Sequence, residues 1–469
     1  MGERTALVWL RNDLRLADNP ALHAAFDAAD RVAALYVHQS DPDVRAPGGA
    51  ARWWLHHSLA DLNEELAKLG VRLSVHTGSA LDTVRAALKD SGATSVFWNR
   101  RYGPAEARTD LVVENMLRAE GVDIGTFAAN VLAEPWTVKT GAGNPFSVYT
   151  PFWKALKGQH IPTPLPAPKG RSPIKPIPVD TDYRQPRWAG KLTPYWHIGE
   201  AGAHEALAVF IDGGLPDYPQ GRDFPARAVT SRLSPHLRFG EISPRQIWHA
   251  GHGLAAREPH RAETVDKFLS ELAWRDFNYH QLYHREDIAT VPMQGKYATM
   301  TWRDAPGELA AWQQGRTGFP IVDAGMREMW ATGFMQNRVR MLTASLLAKN
   351  LLIDWRRGEQ WFWDCLVDAD DANNPGNWQW VAGSGLDASP YFRIFNPVTQ
   401  GERFDVEGAY VRQWVPELAK LPDQWVQQPF AAPADVLRQA GIVLGQTYPQ
   451  PIVDLKTSRV RALEVAREL

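Results

Sequence analysis

The first 130 residues alternate short apolar runs with stretches of helical spacing, and this alternation constrains the fold more than any other feature. In residues 51–69, leucines and a tryptophan recur three or four positions apart, which is the spacing of one helix face. Strands that are separated by helices pair in parallel, because each helix returns the chain to the edge where the previous strand began. The pattern predicts a Rossmann-like, doubly wound parallel α/β sheet with strands at 6–10, 32–37, 71–75 and 95–98.

The rest of the chain has a different pattern. After about residue 200, helical periodicity dominates and strand-like runs nearly vanish, which predicts an all-α second domain. Between the two parts, residues 162–186 contain eight prolines, which disfavour helix and favour an extended, semi-rigid backbone. We therefore predict an α/β domain at 1–130, a connector at 131–200 and a helical domain at 201–469.

Composition and missing motifs exclude several classes of protein. The formal net charge is -2, so a nucleic-acid partner would require a local cluster of arginines. Cys365 is the single cysteine, which excludes an internal disulfide, and no H-E-x-x-H, C-x-x-C or G-x-S-x-G motif is present. No metal site is predicted. No apolar run of about 18 residues and no signal-type opening occur, so we predict a cytoplasmic protein without membrane contact.

Two segments combine polar and aromatic residues in ways that suit a binding site. Residues 368–397 begin D-A-D-D-A-N-N-P-G-N-W-Q-W, which is too polar for a core and too aromatic for a solvated loop. The alternative is an aromatic corner with acidic helix caps. Residues 230–235, T-S-R-L-S-P, offer hydroxyls and backbone amides that suit an anion, with a simple N-cap as the alternative.

Two helical stretches carry polar residues on a shared face. Glu271 lies three positions before Trp274 and four before Arg275, so the three share a helix face, and an ordinary Glu-to-Arg surface pair is the alternative. In the stretch N-R-V-R-M, Asn337 and Met341 lie opposite the apolar face. A methionine among polar groups favours a lined cavity over open solvent.

These stretches together resemble the photolyase/cryptochrome family. The resemblance covers essentially the whole chain, in order, through V-W-L-R-N-D-L-R-L-A-D-N-P, R-D-F-P, T-S-R-L-S-P, E-L-A-W-R-D-F, T-G-F-P-I-V-D-A-G-M-R, N-R-V-R-M and D-A-D-D-A-N-N-P-G-N-W-Q-W. Seven motifs in register are far more specific than one. The resemblance implies a flavoprotein that holds FAD in its helical domain and is active with the cofactor reduced.

The resemblance also implies which residues bind FAD. Hydroxyls and amides suit the pyrophosphate, and a pairing of Arg340 with Asp368 beside Asn374 would tune the reduced flavin. The implied FAD-binding residues are Tyr218, Thr230, Ser231, Leu233, Ser234, Arg275, Arg340, Asp368, Asp370 and Asn374.

Repair enzymes of the family take a pyrimidine dimer out of DNA into a pocket and split it by electron transfer from the light-excited flavin. The resemblance implies that Trp274 and Trp380 form apolar walls, that Glu271 bonds the thymine edge, and that Asn337 and Met341 form the floor. Enzymes for the (6-4) photoproduct carry histidines on that helix. The implied substrate is therefore the cyclobutane pyrimidine dimer.

Two further sets of residues are implied. One set matches the family's chain of electron-hopping indoles, with core packing as the alternative role, and comprises Trp378, Trp355 and Trp302. The other would contact the DNA phosphates that flank the lesion, and comprises Arg222, Arg338 and Arg393.

An antenna chromophore is expected between the domains, and methenyltetrahydrofolate is the first choice. Glu106 matches a pterin-contacting glutamate, whereas Ala105 stands where some relatives carry Asn, so a deazaflavin or an empty site is the alternative. The rival function is a cryptochrome-type blue-light receptor that uses the same flavin without repair. The complete set of lesion-pocket residues favours repair, and we expect a monomer.

Overall fold

The computed structural model describes residues 3–179, 186–391 and 393–468. Residues 180–185 of the predicted proline-rich connector lie outside the described residues, and residues 161–179 form no helix or strand. The strands are β1 Thr5–Leu10, β2 Arg31–Gln39, β3 Arg72–Gly78, β4 Ser95–Asn99 and β5 Asp123–Phe127.

The five strands form one parallel sheet in the order β3-β2-β1-β4-β5. Val8 in β1 pairs with Ala34 of β2 on one side and with Phe97 of β4 on the other. The predicted parallel α/β sheet is confirmed. Since the strand order reverses direction between β1 and β4, their carboxyl ends form the crevice where open α/β sheets bind ligands.

The edge strand β5 was not predicted from the sequence. Its residues D-I-G-T-F contain too few apolar side chains to read as a buried strand. Gly125 is required there, because a Cβ at this position would stand 2.6 Å from the ring of Phe97 on the neighbouring strand. The glycine that weakened the strand pattern thus allows the two strands to pack.

The α-helices are distributed along the whole described chain. They are α1 Pro20–Ala28, α2 Gly49–Lys68, α3 Ala80–Ser91, α4 Pro104–Ala119, α5 Tyr149–Lys157, α6 Glu200–Val209, α7 Tyr218–Gly221, α8 Ser234–Phe239, α9 Pro244–Arg257, α10 Ala262–His284, α11 Pro306–Gln313, α12 Pro320–Thr332, α13 Asn337–Ser345, α14 Trp355–Cys365, α15 Asn373–Ala382, α16 Pro397–Phe404, α17 Ala409–Trp414, α18 Asp423–Val426, α19 Ala434–Ala440 and α20 Leu455–Arg467. Shorter 3-10 turns occupy Arg187–Tyr195, Leu215–Asp217, Pro259–Arg261, Gly295–Thr299, Pro416–Leu418 and Pro429–Ala431, and π turns occupy Phe210–Gly214 and Leu346–Asn350.

Local sequence signals explain several helix starts. Asn19 caps α1 by accepting the amide of Leu22, and Pro20 follows at the first helical position. Ser243 and Gln246 form a reciprocal capping box at α9. Each cap stabilises its helix by about 1 kcal/mol, because a terminal amide would otherwise lack a partner.

The chain divides into two compact units that interleave in sequence. The first unit comprises Met1–Pro216, Ser231–Glu286 and Asp368–Ala372, and the second comprises Asp217–Thr230, Asp287–Val367 and Asn373–Leu469. The described part of the second unit consists of helices and loops, apart from an isolated bridge between Leu444 and Tyr448. The predicted α/β and all-α fold classes are confirmed, while the predicted domain boundaries stay a prediction.

Candidate functional site

The segment that leads into α8 gathers hydroxyls and backbone amides in the first unit. Ser234, the first residue of α8, donates its hydroxyl to the Asp368 carboxylate at 2.6 Å. The hydroxyl of Ser231 accepts the amide of Leu233 at 3.5 Å. Arg232 between them has a left-handed φ of 51°, which turns the chain sharply. Ser234 therefore serves Asp368, far along the chain, and the N-cap position, Leu233, has no side-chain cap.

A guanidinium holds the D-A-D-D segment that begins at Asp368. Arg238 donates from Nε to the Ala369 carbonyl at 2.9 Å and from Nη1 to the Asn12 side chain at 3.2 Å. Asp368 and Asp370 are both buried. Sequence reasoning missed Arg238, since an arginine in S-P-H-L-R-F-G reads as a surface residue of a short helix. Its position four residues after Ser234, on the same helix face, was the signal available.

Two carboxyl groups approach each other beside Gly103 in the first unit. A Cβ at Gly103 would stand 2.8 Å from a Glu106 oxygen and 3.4 Å from an Asp371 oxygen. Burial and the charge of Glu106 raise the pKa of Asp371 to about 7, although Arg238 and Arg45 oppose the shift. Asp371 was not singled out from the sequence, because its partner comes from a distant helix.

Helix α10 places the predicted FAD-binding residue Arg275 next to an acidic neighbour. Arg275 donates to the Asn130 carbonyl at 2.7 Å and lies 4.9 Å from the centre of the Tyr279 ring. Asp276 accepts the amide of Leu132 at 2.6 Å. Burial raises the pKa of Asp276 to about 6, despite the opposing charge of Arg275.

The same helix carries the predicted lesion-contacting residues Glu271 and Trp274. Glu271 forms an ion pair with Lys267 at 3.5 Å, and both side chains are partly exposed. The Trp274 ring stacks on Tyr149, with centroids 3.7 Å apart and planes 10° from parallel. Arg275, which the spacing could also pair with Glu271, donates to the Asn130 carbonyl and lies 3.5 Å from the Asp276 carboxylate.

The crevice at the carboxyl ends of β1 and β4 is lined by charges that satisfy one another. Asp110 of α4 accepts from Arg11 at 3.1 Å and from Arg101 at 2.6 Å. The Arg11 guanidinium also bonds the Asn99 carbonyl and lies 4.3 Å from the centre of the Trp9 ring. Burial lowers the pKa of Arg11 to about 10, although Asp110 opposes the shift. This cluster, Arg11, Arg101 and Asp110, is called the sheet-edge cluster below.

In the second unit, Asn374 is oriented by a carboxylate. Its amide nitrogen donates to Glu359 at 2.7 Å and to the backbone carbonyl of the same residue at 3.0 Å. Because a carboxylate only accepts, Oδ1 of Asn374 faces away from it, and no described residue donates to that oxygen. Arg340 donates to the Met335 carbonyl at 2.6 Å and lies over the Phe334 ring. Asp368 belongs to the first unit, so its predicted pairing with Arg340 stays a prediction.

The three predicted electron-hopping indoles lie in the second unit and differ in exposure. Trp378 and Trp355 are buried, and Trp302 is partly buried against a cluster that includes Tyr391. The Trp378 ring meets Trp312 edge to face at 6.1 Å, and its Nε1 makes no hydrogen bond within the described chain. Trp312 was not singled out from the sequence, since nothing in its spacing distinguishes it from core packing.

The predicted phosphate-binding arginines also lie in the second unit. Arg338 pairs with Asp223 at 2.7 Å and lies 4.7 Å from the centre of the Phe404 ring. Arg222 lies over the Tyr218 ring at 5.3 Å. Arg393 is exposed, and its carbonyl accepts from a buried lysine.

The remaining predicted residues are placed as follows. Asn337 is exposed at the start of α13, while Met341 on the same helix and Trp380 on α15 are half-buried. Thr230 is the residue at which one segment of the second unit ends. Tyr218, at the start of α7, is buried.

Two absences hold for the part of the chain that the structure describes. Within residues 3–179, 186–391 and 393–468, no group of three or more histidine, cysteine, aspartate or glutamate side chains could hold a metal ion. Over the same ranges, no helix combines the length and apolarity needed to span a bilayer. Cys365 is buried and forms no disulfide.

Comparisons with known proteins agree over nearly the whole chain. A family model described as DNA photolyase matches residues 6–169, and one described as the FAD binding domain of DNA photolyase matches residues 268–468. The chain is 47% identical to a deoxyribodipyrimidine photo-lyase of Agrobacterium fabrum, over 97% of this chain and 96% of that protein. It is 36% identical to Cryptochrome-1 of Arabidopsis thaliana, over 99% of this chain and 70% of that protein. A solved class III photolyase from Agrobacterium tumefaciens superposes with a TM-score of 0.95 at 46% identity, covering 100% of this chain and 98% of that one.

Proposed function

This chain belongs to the photolyase/cryptochrome family, and we propose that it is a deoxyribodipyrimidine photo-lyase, a light-driven lyase that repairs cyclobutane pyrimidine dimers in DNA. The observation that carries this proposal is 47% identity, over nearly the full length of both chains, to a relative with that name. The residues implied for the lesion are all present as well, on helices α10, α13 and α15.

The donor set fits FAD. The first unit offers the hydroxyls and amides of residues 231–234 for phosphate and ribose, next to the buried carboxylates of Asp368 and Asp370. In the second unit, the outward Oδ1 of Asn374 suits the ring N–H of a reduced flavin. When bound, FAD supplies the light absorption and the electron that opening the dimer requires. The residues proposed to hold it are Tyr218, Thr230, Ser231, Leu233, Ser234, Arg275, Arg340, Asp368, Asp370 and Asn374.

Glu271 and Trp274, which lie on α10 of the first unit, are proposed to contact the dimer. The Trp274 ring is held flat by its stack on Tyr149, so it can present its other face to a base without reordering. The Glu271 carboxylate accepts hydrogen bonds, which matches the N–H on the edge of a thymine. Asn337, Met341 and Trp380 are also proposed to contact the dimer.

We propose that Trp378, Trp355 and Trp302 carry electrons towards the flavin. Support comes from their graded exposure, since two are buried and Trp302 is in partial contact with solvent. Trp378→Phe should abolish photoreduction of the oxidised cofactor while sparing repair by chemically reduced protein. Equal loss of both activities would show that Trp378 acts in packing instead.

DNA is the proposed partner, held through its phosphates by Arg222, Arg338 and Arg393. For the antenna we propose methenyltetrahydrofolate, with a deazaflavin or no antenna as the alternative. Glu106 already pairs with Arg101 at 3.2 Å, so a pterin would have to share this carboxylate. The absorption spectrum of the purified protein distinguishes the three cases. A cytoplasmic monomer stays a prediction.

One experiment tests the function. Purified, reduced protein is mixed with irradiated oligonucleotide, and loss of thymine dimers is measured under blue light and in darkness. Light-dependent loss is expected. Glu271→Ala should lower the repair yield with bound flavin unchanged, because the carboxylate touches the substrate and not the cofactor. Unaltered repair would remove Glu271 from the site.

The second candidate function is a blue-light receptor without repair, favoured by the 36% identity to Cryptochrome-1 over 99% of this chain. It predicts bound flavin and no light-dependent loss of dimers. That outcome of the same assay would replace the repair proposal.

A further inference from the structure

Two phenylalanines in the second unit form a platform for arginines. Phe224 and Phe404 meet edge to face, with ring centroids 5.7 Å apart and planes at 78°. Arg227 lies 4.4 Å from the centre of Phe224, and Arg338 and Arg403 lie 4.7 Å and 5.0 Å from the centre of Phe404. These five residues are called the Phe224–Phe404 cluster.

The cluster carries more positive than negative charge. Asp223 pairs with Arg338 at 2.7 Å. Within residues 3–179, 186–391 and 393–468, the side chains of Arg227 and Arg403 form no ion pair or hydrogen bond, and both are exposed.

A ring beneath a guanidinium restrains it without occupying its N–H groups. The cation lies over the face of the ring, while its five donors remain in the guanidinium plane. For Arg227, a turn in which its own amide donates to the Phe224 carbonyl at 3.0 Å also fixes the backbone over the ring. The side chain is therefore held in place with its charge and its donors available to an outside anion.

We propose that Arg227 binds a phosphate of the DNA backbone and that Phe224 positions it. The inference rests on the proposed function, which brings DNA to this protein, and it adds a residue to the phosphate contacts implied by the family motifs. A planar guanidinium matches two phosphate oxygens at once, which a flexible ammonium does not. Arg338 lies on the adjoining ring, Phe404, so both arginines would contact phosphates of the same DNA strand.

The test is the salt dependence of binding to a dimer-containing duplex, measured in darkness. Each phosphate that a cation neutralises makes the fall of log K with log salt steeper by about 0.9 on duplex DNA. Arg227→Gln should therefore make the slope of log K against log salt shallower by about 0.9, and it should weaken binding most at low salt. Arg227→Lys keeps the charge and should keep the slope, and Phe224→Leu should weaken binding with the slope of the unaltered protein.

The matched control is Arg438→Gln on α19. Arg438 is also exposed, and the described chain gives it neither an acid nor a ring. A slope for Arg227→Gln equal to that of Arg438→Gln would overturn the inference, as would a lowered slope for Arg227→Lys. Repair by reduced protein at saturating DNA is measured in the same series. A lowered slope without repair overturns the proposed function and leaves Arg227 as a phosphate contact, whereas repair with an unchanged slope overturns the inference alone.

Discussion

The sheet-edge cluster of the first unit and the Phe224–Phe404 cluster of the second unit use arginine in opposite ways. In the first, Arg11 and Arg101 are buried and share the carboxylate of Asp110. In the second, Arg227 is exposed and lies on a ring, with no acid in the described chain. An arginine that is paired with an acid inside the protein stabilises the fold. An arginine that lies only on a ring keeps its N–H donors available to a ligand.

The sheet-edge cluster should be the more costly one to break. Asp110→Ala would leave the buried guanidinium of Arg11 without its acid and Arg101 with Glu106 alone, and an unpaired buried charge costs about 3–5 kcal/mol. We expect a loss of unfolding free energy of that size, measured by denaturant titration with circular dichroism. Arg227→Gln should change the unfolding free energy by less than about 0.5 kcal/mol, because it is a surface substitution.

Equal destabilisation by the two substitutions would break the comparison. Asp110→Asn serves as the shape control, since it removes the charge and keeps the volume. It should be nearly as destabilising as Asp110→Ala if the charge is what matters, and much milder if packing is.

The contrast also separates what the sequence predicts from what it leaves open. Strands β1 to β4 were predictable because their apolar runs depend only on neighbouring residues, whereas β5 was missed because Gly125 and its polar neighbours dilute the pattern. Polar partners depend on tertiary packing. The sequence around Arg11 does not indicate that its acid, Asp110, lies 99 residues away.

The same limit applies to the candidate site. Motif resemblance named Ser234 and Asp368, and the structure joins them by a hydrogen bond. Arg238 holds the backbone at Ala369, yet no motif marked it. The residues proposed to touch a ligand could thus be named from the family pattern, while a residue that positions them, Arg238, required the fold.

Asp371 is an acid whose neighbouring cations do not offset the effects that raise its pKa. The folded-state pKa of Asp371 is raised to about 7 from 3.8, so the folded protein keeps a proton that the unfolded chain releases. Stability should therefore fall as pH rises from about 4 to 7, and level off above. Asp371→Asn should remove this fall and raise the unfolding free energy at pH 8 by up to about 4 kcal/mol, with a smaller gain at pH 5.

Thermal unfolding at several pH values checks this expectation. Asp435→Asn, at an exposed position of α19, is the control and should show no such pH dependence. A gain from Asp371→Asn that is the same at pH 5 and pH 8 would contradict the raised folded-state pKa of Asp371.

A small effect is expected at Asp223, which pairs with Arg338 of the Phe224–Phe404 cluster. Its ion pair with Arg338 is partly exposed, with side-chain exposures of 35% and 18%, so its loss should cost at most about 1 kcal/mol of stability. Asp223→Asn frees Arg338 from a competing carboxylate and removes a negative charge from the surface that DNA is proposed to approach. Binding to dimer-containing DNA should therefore tighten at low salt, and the gain should vanish at high salt as screening removes the repulsion. If binding weakens instead, Asp223 orients Arg338 for phosphate, and the rule that paired arginines serve only the fold does not extend to partly exposed pairs.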